Sequence, residues 1–142
     1  MRKTTAVSIA IVGMLTTGLG FAANPSSLPP EHHQNGVSFV SGGVGQQEAQ
    51  AFERAEGKYP LALEMLDRVG KRDEFTAGAK VNVLDAHGKT ILSTIADGPF
   101  LLARVPNGQY TVSASYEGKT IKRKVSVGPK AHRSTVLEWK TA

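Results

Sequence analysis

Residues 97–119 read DGPFLLARVPNGQYTVSASYEGK, and this stretch decides the fold class. Asp97-Gly98-Pro99 is a turn, Phe100–Val105 a strand, and Pro106-Asn107-Gly108 a second turn. In the run that follows, Tyr110, Val112, Ala114 and Tyr116 alternate with Thr111, Ser113, Ser115 and Glu117. Strand side chains point alternately to opposite faces, so a period of two predicts an apolar face turned inward and a hydroxyl-bearing face turned outward.

The same signals recur on both sides. Lys80–Asp85 predicts a strand with Val81 and Val83 inward, closed by the turn Asp85-Ala86-His87-Gly88. Lys89–Ala96, Thr120–Val127 and His132–Trp139 complete the set, separated by Glu117-Gly118 and Gly128-Pro129. Residues 61–69 satisfy both periods. Leu61, Leu63, Met65 and Val69 alternate, while Leu61, Met65, Leu66 and Val69 also keep helical spacing. The all-β neighbourhood favours a strand there, with a polar turn starting at Val69-Gly70. About seven short strands at a spacing of about 10 residues predict a mainly β protein, a Greek-key β-sandwich. One short helix precedes it over Gln46–Glu56, with Gly45 as N-cap, Glu48 in the first turn, Gly57 as the stop and Phe52 as the anchor. Val37–Val40 reads as a short strand and Gly42-Gly43-Val44-Gly45 as a hinge.

The N-terminus predicts export. Arg2 and Lys3 precede an apolar stretch from Ala6 to Ala23, and Gly20 and Ala22 supply the small residues of a signal-peptide cleavage site after Ala22. Several Thr, Ser and Gly in that stretch argue against a retained spanning helix, which wants about 20 mostly apolar residues. The chain has no Cys, so no lipidated N-terminal Cys follows processing. Residues 23–36, ANPSSLPPEHHQNG, have little to bury and predict a flexible leader. With residues 37–60 carrying the short strand and helix, the sandwich itself is expected over residues 61–140. About 120 residues suffice for one domain without disulfides. The full chain has 17 basic and 12 acidic residues, +5; losing Arg2 and Lys3 with the signal peptide leaves 15 against 12, a mild +3, and export removes nucleic acid as a partner.

The turn and strand residues resemble the carboxypeptidase regulatory-like domain, a transthyretin-like (prealbumin-like) sandwich, in its bacterial periplasmic variety. The resemblance rests on Val81–Leu84, Asp85 and Gly88; on Asp97, Gly98 and Phe100; and on Pro106, Gly108 and Tyr110. It spans roughly residues 61–139, with Ser41 to Gly45 and the short helix in front. It implies a core role for Phe100 and Tyr110, the Tyr110 hydroxyl reaching a backbone group. It implies turn roles for Gly88, Gly98, Gly108 and Gly118, each supplying backbone angles closed to other residues. It does not carry an activity. The related hydroxyisourate hydrolases end in Tyr-Arg-Gly-Ser, whereas this chain ends Glu138-Trp139-Lys140-Thr141-Ala142, and no zinc peptidase domain accompanies the module.

The search for chemistry yields no catalytic, cofactor or metal nominee. His32, His33, His87 and His132 show no zinc-ligand spacing, and no Gly-x-Ser-x-Gly elbow is present. The remaining feature is charge. Lys119, Lys122 and Lys124 flank an apolar row of Ile121, Val125, Val127, Leu137 and Trp139, and Lys130 and Arg133 add to the excess. Either these lysines form a face for acidic partners, or they only keep an edge soluble. Three functions follow: an exported binding or accessory module for a protein or envelope component, an oligomerising structural component, or a hydrolase with no visible nominee. The first is the expectation, with no cofactor, no membrane-spanning mature form and an oligomeric state left open. Intact mass of the protein recovered from the periplasm is expected to lack residues 1–22; retained Met1 would refute export by cleavage.

Overall fold

The period-two pattern is realised as two sheets facing each other across one core, with a helix on the outside of one of them. The computed structural model describes residues 27–129 and 134–141. The expected signal peptide, the start of the leader, and Lys130, His132 and Arg133 lie outside the described residues. In chain order the elements are β1 (His32–Gln34), β2 (Val37–Gly42), α1 (Gln46–Ala55) with a 3-10 turn over Glu56–Lys58, β3 (Leu61–Val69), β4 (Arg72–Phe75) and β5 (Lys80–Leu84). Then follow β6 (Thr90–Ile95), β7 (Phe100–Arg104), β8 (Gly108–Tyr116), β9 (Lys119–Val127) and β10 (Thr135–Trp139). The first sheet runs β1-β2-β7-β3-β10, with β4 also on β3; the second runs β6-β5-β8-β9. Among the described residues only β10 on β3 is a parallel pair.

Residues 61–69 are a strand, as their neighbourhood required. Leu61, Leu63 and Met65 enter the core between the sheets, while Ala62 faces the helix. Strand β7 does the same with larger residues. Leu101 and Ala103 join the sandwich core, and Phe100 and Leu102 join a second core built with Ala49, Phe52 and Ala55 of α1. The unbroken apolar run Phe100-Leu101-Leu102-Ala103 is thus the mark of a strand covered on both faces. The Phe52 ring lies flat on Phe100 at 5.5 Å between centroids and 12° between planes, so Phe52 is the anchor the sequence predicts.

Several expectations are corrected. Within the predicted leader, His32–Gln34 pairs with Val37–Phe39. Asn35 and Gly36 both take positive φ, 51° and 77°, the backbone that lets an Asn-Gly pair close a two-residue hairpin. After Gly70 the chain makes a second hairpin, and the exposed polar strand β4 pairs with the end of β3. The glycines also divide. Gly88 and Gly118 sit at φ 79° and 77°, as turn chemistry requires. Gly98 does not; it is required because a Cβ there would lie 2.4 Å from the Gly42 carbonyl oxygen. Gly108 needs neither angle nor space, since a Cβ would meet only the Tyr110 ring at ordinary contact, 3.8 Å.

On β8 the inward set is Tyr110, Val112 and Ala114, all buried, with Tyr116 half-buried against Trp139 at 5.6 Å. The Tyr110 hydroxyl donates to the Pro106 carbonyl at 2.6 Å, pinning the turn four residues upstream to the core. Ile121, Val125 and Val127 on one sheet and Leu137 and Trp139 on the other all contribute to that core. Trp139 Nε1–H donates across to the Lys119 carbonyl at 2.9 Å, tying the last strand of one sheet to the edge of the other. Tyr110→Ala is expected to cost about 3–5 kcal/mol, the range for emptying a buried aromatic site. Thr111→Ala, one residue along on the outer face, should cost no more than about 0.5 kcal/mol. Equal shifts of the two urea midpoints would refute the inward assignment.

Candidate functional site

The helix covers the outer face of the first sheet, but no element among the described residues covers the outer face of the second. That bare face is set by register. Reading across β6, β5, β8 and β9, one row is Ser93, Asn82, Ser113 and Lys122; the next is Ile95, Lys80, Ser115 and Thr120. A third row places Leu84, Thr111 and Lys124 side by side, and Gln109 faces Ser126 beyond it. Hydroxyls and amides bond along these rows: Ser93 Oγ to Asn82 Oδ1 at 2.6 Å, Ser115 Oγ with Thr120 Oγ1 at 2.7 Å, and Ser126 Oγ to Gln109 Oε1 at 2.9 Å. The face is therefore a pre-ordered polar surface with ammonium groups at its margins.

Charge separates the two sheets. In β5, β6, β8 and β9 the charged side chains are Lys80, Lys119, Lys122, Arg123 and Lys124, with no Asp or Glu. Strand and helix carboxylates belong to the other sheet and its helix: Glu48 and Glu53 on α1, Glu56 just after it, Glu64 on β3, Asp73 and Glu74 on β4, and Glu138 on β10, while Asp85 and Glu117 lie in the turns that follow β5 and β8. Arg68 Nε bonds Asp73 there at 2.6 Å, with Glu138 3.4 Å from the same guanidinium. Glu64 has its pKa raised, first by burial and then by the nearby Glu56 and Glu53 charges.

Of the three lysines singled out from the sequence, the structure brings two together. Lys122 and Lys124 stand exposed on the outer face, beside Ser113 and Thr111. Lys119 is corrected. Being an odd number of residues away, it shares the parity of inward-facing Ile121, and its ammonium donates to the Lys140 carbonyl at 2.7 Å. It helps close the end of the sandwich. Lys80 takes its place on the face, unforeseen in the sequence; the signal that would have found it is the absence of acids from all four strands.

At one end the face dips into a groove of about 480 Å³ lined by Leu84, Asp85, Gly88, Tyr110, Thr111 and Lys124. The Asp85 turn forms its rim. Asp85 Oδ1 accepts from the backbone N–H groups of His87 at 2.9 Å and Lys89 at 3.0 Å, and its carbonyl accepts from Gly88 at 3.0 Å. Burial and then the Asp85 charge raise the Tyr110 pKa. The motif residues Asp85, Gly88 and Tyr110 thus shape the depression, and Lys124 supplies its one cation.

The other candidates from the sequence serve the fold. His33 Nδ1 bonds Ser38 Oγ at 3.0 Å, and the His32 ring lies 5.5 Å from Phe39. Among the described residues no group of three or more His, Cys, Asp or Glu could hold a metal ion. In the glycine-rich hinge the Gly43 N–H donates to Glu48 Oε1 at 2.8 Å, so a carboxylate of the chain itself occupies that donor. No helix among the described residues is long and apolar enough to cross a membrane. No protein-family model and no curated protein matches the chain.

Because Glu64 binds its proton more tightly folded than unfolded, wild-type stability falls as pH rises from the ordinary carboxylate value of 4.5 through the raised folded value. Glu64→Gln should remove that loss. Its urea midpoint is expected to gain on wild type as pH rises from about 4 to 7, and a gap that stays constant or narrows would refute the assignment.

Proposed function

We propose that this chain is an exported, periplasmic, non-catalytic binding module of carboxypeptidase regulatory-like type, which docks an acidic protein or envelope partner on the outer face of its four-stranded sheet. The observation that carries the reading is the charge asymmetry: the uncovered sheet has only basic charged residues in its strands, and its ordered hydroxyl rows are ready to bond a partner. Complementary charge steers encounter and selects partners more than it adds affinity, which suits an accessory module. The Asp85 turn, the Gly98 close approach and the Tyr110–Pro106 bond support the transthyretin-like reading, as does the passage of consecutive strands β6, β7 and β8 from one sheet to the other and back, the kind of crossing a Greek key needs.

Capture from periplasmic extract tests the reading. Wild-type protein is expected to retain an acidic partner at low salt and lose it at high salt, since exposed charges are screened within about 8 Å at physiological ionic strength. Lys122→Gln with Lys124→Gln should lose it at both. Identical captures in every lane, or none, would leave these lysines as solubilising groups and overturn the proposal.

A further inference from the structure

The two edges of the four-stranded sheet are treated oppositely. At β6 the edge is closed by the hairpin that precedes it in the chain. Ser93 N–H donates to Gln34 Oε1 at 2.6 Å, and Gln34 Nε2 donates back to the Ser93 carbonyl at 3.2 Å. One carboxamide thereby makes the pair of bonds a neighbouring strand would make, and Asn35 Nδ2 adds a third to the Ile91 carbonyl at 3.3 Å. At β9 no strand among the described residues pairs with the far side. Yet β9 has nine residues and pairs with β8 from Lys119 to Val127 in unbroken register. It contains no proline and none of the bulges or shortening by which proteins blunt an open edge. Among the described residues its protection is charge: the lysines, and Arg123 at an inward-facing position opposite Val112.

Those charges also say what can pair there. β9 carries Lys119, Lys122, Arg123 and Lys124 and no acid. A second copy aligned antiparallel on β9 would set Lys122 opposite Lys124 about a two-fold axis through Arg123, and like charges directly opposite destabilise a strand pair. No other register sets an acid of β9 opposite one of these cations, because β9 has none. A strand with acids opposite residues 122–124 reverses the sign of every such term. Ile121 and Val125, on the inward side of β9, are only half-buried, so the flanking positions of an incoming strand would gain burial if apolar.

We propose that β9 is a docking edge that takes up an extended acidic segment of another protein, of the pattern apolar, three acidic residues, apolar, as an additional strand of this sheet. The proposal rests on the binding reading above and narrows it from a face to an edge. Main-chain hydrogen bonds would hold the segment, and side-chain charge would select it.

The probe is the synthetic peptide Thr-Val-Glu-Glu-Glu-Val-Thr, with a Lys-for-Glu version and two versions methylated on alternate backbone nitrogens. The Glu peptide is expected to slow hydrogen exchange of β9 amides and to bind several-fold more weakly to the Lys122→Gln, Lys124→Gln protein. One methylated peptide, the one stripped of ladder-facing N–H groups, should fail to bind while the other succeeds. If both methylated peptides bind as well as the parent, charge alone suffices; the edge proposal falls and the face reading stands. Equal binding of the Lys peptide overturns both. Unchanged exchange in β9 at millimolar Glu peptide overturns the edge proposal, as does protection of the same amides by raising protein concentration without peptide, the mark of a second copy.

Discussion

The double burial of Phe100–Ala103 is the constraint on which both cores depend. A strand whose side chains alternate between two apolar layers cannot slip by one residue without exchanging every contact on both faces. Leu101 and Ala103 fix the register of the sandwich, and Phe100 and Leu102 fix the seat of the helix. The glycines around Phe100 follow from this. A Cβ on Gly43 would lie 2.4 Å from the Phe100 ring, so the backbone that leads into α1 lies directly against the ring that the helix then covers with Phe52. The Gly98 turn packs equally closely on Gly42, and Asp97 N–H bonds Ser41 Oγ at 2.8 Å.

Covering one sheet leaves the other bare, and the division of labour follows. The helix-bearing sheet holds the strand carboxylates and the Arg68 that bonds them, while the strands of the bare sheet hold basic side chains among hydroxyls and keep their acids, Asp85 and Glu117, to the turns. Exposed ion pairs such as Arg68 with Asp73 contribute little to stability. The segregation of charge therefore matters more for what approaches the molecule than for what holds it together. The groove at the Asp85 turn and the open β9 edge are both bounded by Lys124, so a partner on either meets the same cation.

Much of the fold was legible in residues 80–127. Alternation there is clean because one face of each strand is wet, and the turns between carry residues whose conformational reasons are local. The helix and its Phe52 anchor were legible for the same reason. Strands β1 and β4 were not. Both are exposed and polar, so hydrophobic periodicity is silent, and β1 was marked only by the Asn35-Gly36 pair. The glycine roles were partly misassigned because a close backbone approach, as at Gly98, involves a residue far away in sequence.

The sequence by itself determined the inward and outward sets, the turn positions and the doubly apolar strand, because these depend on neighbours one to four residues away. Which lysines share a surface was decided only by the tertiary structure. Lys119 and Lys122 are close in sequence but differ in parity, and Trp139 and Lys140 arrive from the other sheet to engage the Lys119 residue. Lys80 joins Lys122 and Lys124 because β8 pairs with β5 on one side and β9 on the other. Strand order is a long-range choice, set by which apolar faces bury each other, and no local pattern encodes it.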